Sequence, residues 1–136
     1  MFAGLAVLAL VAASGCASHP SASGKNVIGV TERDFKISLA RHHLSPGDYV
    51  LAVDNLGPVN HELIVVRTDR AALPLRRDGF TVDEDALAKQ EVGALEPGPP
   101  DHTRDLRVHL TAGTYEMFCN MAGHFMGGMH AEIEVS

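Results

Sequence analysis

Short apolar runs in strict alternation recur along this chain, and turn-forming residues close each of them. Phe35, Ile37 and Leu39 are separated by Lys36 and Ser38; Tyr49, Leu51 and Val53 alternate before Asn55-Leu56-Gly57-Pro58; Leu106, Val108 and Leu110 alternate with Arg107 and His109. A period of two sends neighbouring side chains to opposite faces of an extended strand, so each run can bury one face and wet the other. Ser45-Pro46-Gly47-Asp48 and the hairpin-like Thr111-Ala112-Gly113-Thr114 supply turns. Residues 115–118 and 131–135 read as the last two strands. Seven or so such strands predict an all-β fold, an antiparallel Greek-key β-sandwich. With 136 residues, 46% of them hydrophobic, the chain has material for one domain with a core.

The rhythm breaks between residues 67 and 100. Asp83-Glu84-Asp85 places carboxylates at the positive end of a helix dipole, which predicts one short inserted helix over 82–91. Glu96-Pro97-Gly98-Pro99-Pro100 reads as a rigid loop. The acidic trio lacks the spacing of a calcium loop. A net charge of −6 without a basic stripe excludes a general nucleic-acid binder.

Residues 1–15 carry no charged side chain and are mostly Ala, Val, Leu and Gly. That apolar stretch is shorter than the roughly 20 residues a bilayer span needs, and it reads as an export signal. Ala13-Ser14-Gly15-Cys16 resembles a lipobox, which predicts a signal over 1–16, a lipid on Cys16 and a location outside the cytoplasm, in the periplasm or on the cell surface. A plainly secreted form is the alternative. Residues 17–25, small and polar with Pro and Gly, are a flexible tether, and the domain occupies 26–136.

The chemistry concentrates in residues 114–130. Cys119, His124 and Met129 offer a thiolate, an imidazole and a thioether on one short loop, a soft set that suits copper better than magnesium or calcium. A trigonal copper site needs a second imidazole, and His61, at the mouth of the apolar run Leu63-Ile64-Val65-Val66, is the candidate. Met126 and Met121 compete with Met129 for the axial position. His19, His42, His43 and His109 read as solvated, and His102 shows no partner.

Asn55-Leu-Gly-Pro-Val-Asn-His61-Glu-Leu, Ala112-Gly-Thr-Tyr-Glu-Met-Phe-Cys119, and the four-residue gaps from Cys119 to His124 and from His124 to Met129 together resemble the cupredoxins. The loop lengths are similar to those of rusticyanin and the phytocyanins. The resemblance implies one copper ion held by His61, Cys119, His124 and Met129. It also implies one-electron transfer rather than catalysis, by a monomer whose redox protein partner docks near His124. Many members carry Asn after the first ligand His, where this chain has Glu62, so another arrangement must orient the sulfur. The rival reading is copper storage, delivery or resistance, suggested by the methionines at 117, 121, 126 and 129.

Overall fold

Alternation along the chain becomes two facing sheets. A computed structural model describes residues 24–69 and 72–136. The expected export signal, Cys16 and most of the tether lie outside the described residues. One sheet has four strands in the order β2 (Lys36–Leu39), β1 (Val27–Arg33), β4 (Gly47–Asn55), β7 (His102–Leu110). The other has five, in the order β3 (His43–Leu44), β9 (His130–Val135), β8 (Gly113–Phe118), β5 (His61–Thr68), β6 (Glu91–Gly98).

Inward residues of both sheets make one core. Ile28, Val30, Leu51, Val53, Leu106, Val108 and Leu110 meet Leu63, Val65, Tyr115, Met117, Ile133 and Val135. Strand β5 is buried on both faces, as its continuous run Leu63-Ile64-Val65-Val66 requires. Its outward Ile64 and Val66 join Phe118 under Leu73, Val82 and Leu87 of the 69–90 excursion. That cover keeps a broad apolar face out of water.

The architecture is all-β as expected, with four departures in detail. The sandwich is not wholly antiparallel: β1 runs parallel to β4 and β3 parallel to β9. Thr111–Thr114 is no hairpin, because β7 and β8 lie in different sheets. The connection crosses between them, pinned by the Tyr115 hydroxyl, which donates to Thr111 O and accepts from Thr111 N–H, both at 3.0 Å. The inserted helix is only α1 (Glu84–Leu87), capped by the Asp83 carboxylate on Ala86 N–H at 3.3 Å. From Glu91 the chain enters β6 instead, an edge strand that tolerates Pro97 because an edge can spare an N–H. Finally, Phe35 does not share the inward face of Ile37. It occupies the two-residue turn between β1 and β2 at φ +60°, with half its surface exposed.

Candidate metal centre

The loop between β8 and β9 folds back on itself through its own backbone. Cys119 N–H donates to Met129 O at 3.1 Å, Met129 N–H to His124 O at 2.9 Å, and His124 N–H to Met121 O at 2.8 Å. Three of the expected ligand residues are thus tied to one another before any side chain is considered. Gly123 and Gly128, at φ +81° and +105°, make the reversals that a β-carbon would strain. Met129 is fully buried in the core, whereas Met126 is half-exposed on the outside of the loop. Met117 is buried and Met121 is partly so, so the four methionines form no exposed thioether cluster.

His61 begins β5 at the same end of the sandwich and is completely buried. One ligand atom from each of His61, Cys119 and His124 lies within 4.8 Å of the other two. Cys119 Sγ stands 3.5 Å from His124 Nδ1, and the two imidazole centroids are 5.1 Å apart. Neither ring nitrogen of His61 has a regular hydrogen bond; Nε2 lies 3.1 Å from Asp34 Oδ1, and Nδ1 faces no protein partner. An unpaired buried nitrogen beside a thiol and a second imidazole is costly in a protein that leaves it unused, and a soft metal would satisfy it. The residues therefore fit copper.

Electrostatics agree. Burial, then the neighbouring His124 charge, hold His61 below its ordinary value against the opposing pull of Asp34, which favours the neutral ring a metal needs. Burial pushes the Cys119 thiol up, opposed by backbone N–H groups of Glu62 and Met121 aimed at the sulfur. Metal binding must therefore expel the thiol proton.

Glu62 supplies the tie that the missing Asn leaves open. Its Oε1 accepts from Asn120 N–H at 3.0 Å, joining the residue after one ligand to the residue after another. Asn120 in turn donates from Nδ2 to Val82 O at 3.0 Å and accepts Val82 N–H on Oδ1, binding the excursion to the ligand loop. Behind His61, Arg104 donates to His61 O at 3.1 Å and to Glu32 Oε2 at 3.2 Å, and also to Glu96 O.

Sequence reasoning missed Asp34, Phe35, Glu32 and Arg104. Phe35 packs edge-on to His124, with centroids 5.5 Å apart at 63°. The alternation of Phe35 with Ile37 and Leu39 hid the two-residue turn, and with it the contact. The other histidines of the described residues have partners of their own. His109 pairs with Asp48 and His130 with Glu116, both at 2.7 Å, His43 lies 3.4 Å from Glu134, and His102 reaches Pro100 O at 2.8 Å.

No protein-family model matches the chain, and no curated protein matches it by sequence. Solved structures do. The reduced auracyanin of Roseiflexus castenholzii superposes with a TM-score of 0.60 at 14% identity, covering 84% of this chain and 99% of that one. Auracyanin A of Chloroflexus aurantiacus, described as a "blue" copper protein, gives 0.59 at 18% identity over 81% and 98%. Rusticyanin from Thiobacillus ferrooxidans gives 0.54 at 17% over 84% and 79%. These likenesses show that the chain has the cupredoxin fold.

Proposed function

We propose that this is an exported blue copper protein that carries single electrons between redox partners, with copper held by His61, Cys119, His124 and Met129. The observation that carries the reading is the convergence of one thiol and two imidazoles within 4.8 Å at one end of the sandwich. Bound there, copper would supply a one-electron couple. The chain's own part is to hold the ligands still. His61 comes from β5 and the remaining ligands from a loop closed by its own backbone bonds, so the two halves of the set are spaced by sheet packing.

His124 is only partly buried, and exposed apolar side chains stand around it: Phe35 against its ring, Met126 in its loop, and Phe80, whose carbonyl accepts from Gly123 N–H at 3.2 Å. A small apolar patch of this kind suits the brief, weak contacts of redox encounters, and we place the redox partner there. The anchor on the membrane would be the lipid expected on Cys16.

The test is optical and paramagnetic titration with Cu(II). One equivalent should produce the intense thiolate-to-copper charge-transfer band, and Cys119→Ala should remove it while leaving the fold intact. A folded wild type that retains copper without that band would exclude the blue site.

A further inference from the structure

The turn between β1 and β2 has two residues, and both reach the candidate centre. Phe35 lies over His124, and a β-carbon on Gly127 of the ligand loop would come within 2.2 Å of the Phe35 ring. Its φ of +60° is a backbone conformation that a bulky residue rarely adopts. Contact with His124 and the loop holds the turn in that conformation. The turn is therefore docked on the site rather than free at the end of a hairpin.

Asp34 gains its place from this docking. Its Oδ1 is buried, has no regular hydrogen-bond partner, and lies 3.1 Å from His61 Nε2, although the side chain as a whole is about one-third exposed. Gly57 closes the pair from the other side: a β-carbon there would stand 2.5 Å from Nε2 and 3.1 Å from Oδ1. The backbone at Gly57 is in turn fixed by its N–H to Asn55 Oδ1 at 3.0 Å. Asp34 and His61 therefore face each other with the Gly57 backbone close against both. A carboxylate oxygen can only accept, so the ring nitrogen facing it must carry the proton. The other nitrogen, Nδ1, is then left with its lone pair.

Resting on the blue-copper reading, we propose that Asp34 is a positioning residue for His61: its carboxylate faces Nε2–H as an acceptor and holds the proton on that nitrogen, keeps Nδ1 open to the metal, and lends the imidazole negative charge that favours the oxidised ion. A partner on the second nitrogen of a metal-bound histidine sets both tautomer and basicity, and losing such a partner costs about 10–100-fold in metal affinity. Negative charge behind the ring stabilises the more highly charged metal state. Removing it should therefore weaken Cu(II) binding more than Cu(I) binding, and the reduction potential should rise.

The experiment compares wild type, Asp34→Ala and Asp34→Asn. In the metal-free wild type, nitrogen-15 imidazole spectra should show His61 as the Nε2–H tautomer, with that preference lost in Asp34→Ala. With copper bound, all three should keep the charge-transfer band. Asp34→Ala should bind Cu(II) ~10-fold more weakly in chelator competition, with Cu(I) binding little altered, which corresponds to a potential about 59 mV higher. Asp34→Asn, which keeps an acceptor but not the charge, should fall between. A variant with wild-type tautomer, Cu(II) affinity and potential would overturn the role of Asp34 and leave the blue-site reading standing. A wild type that binds Cu(II) without the band would overturn the blue-site reading and the redox part of this proposal together.

Discussion

Met129 and Met126 show how three residues of spacing separate a core thioether from a surface one. Met129 lies wholly inside, and its backbone links His124 to Cys119; Met126 is more than half exposed. If Met129 is the weak axial ligand, replacing its sulfur with hydrocarbon removes an electron donor and makes the site more apolar, both of which disfavour Cu(II). Met129→Leu should therefore raise the potential, by about 59 mV for a tenfold change in the Cu(II)/Cu(I) preference. A near-isosteric swap of this kind costs less than about 1.5 kcal/mol of stability. Met126→Leu should change neither. Voltammetry decides, and equal potentials in the two variants would remove Met129 from the ligand set. At this scale the contiguous part of the site was legible, because the loop from Cys119 to Met129 holds its members together through local backbone bonds. The contact between Asp34 and His61 was not, since it joins a turn of one sheet to a strand of the other.

Elements meet the site where they leave no room for side chains. Gly127 lies under Phe35 so closely that an added β-carbon would reach 2.2 Å from the ring carbon Cδ1. Gly127→Ala should cost about 1–3 kcal/mol by overpacking and push the ligand loop away from the β1–β2 turn. Phe35→Ala in the same chain should restore part of the loss, because the clash needs both partners. Chemical denaturation of the two single variants and the double gives the coupling directly, and strict additivity would show that the turn does not bear on the loop. The elements themselves were unevenly legible. Tyr49, Leu51 and Val53, and likewise Leu106, Val108 and Leu110, announced β4 and β7, since each buries one face only. Strand β6 was hidden because Glu91–Gly98, with two glycines, a proline and no regular alternation, takes its strand form from pairing with β5 rather than from its own pattern. The helix was overestimated because its acidic start was clear while its end was set by that same pairing.

Across the whole molecule, Arg104 ties the two sheets together beneath His61, through an ion pair within its own sheet and hydrogen bonds to carbonyls of the other. Arg104 of β7 reaches Glu32 of β1 and the carbonyls of His61 in β5 and Glu96 in β6. Glu32 shares the parity of Ile28 and Val30, which already signalled an inward carboxylate; the sandwich was legible, but the partner two strands away in the same sheet was not. Glu32 is fully buried, and its Oε1 has no partner. Burial raises its carboxyl from an ordinary 4.5 to about 7, even with the Arg104 guanidinium pulling the other way. A carboxyl raised on folding binds its proton more tightly in the native state. Its contribution to stability is therefore complete below about pH 4.5 and is lost as pH climbs through about 7. At 1.36 kcal/mol per pH unit, that window is worth about 3 kcal/mol at most. Glu32→Gln stays neutral throughout. Urea unfolding of the metal-free protein should therefore show the variant gaining on the wild type as pH rises across that window, with a constant difference on either side. Metal-free protein is the right material, because copper release from Cys119 and His61 at low pH would add a dependence of the opposite sign. Parallel stability profiles for the two proteins would mean that Glu32 is ionised throughout, with Arg104 outweighing the cost of burying it.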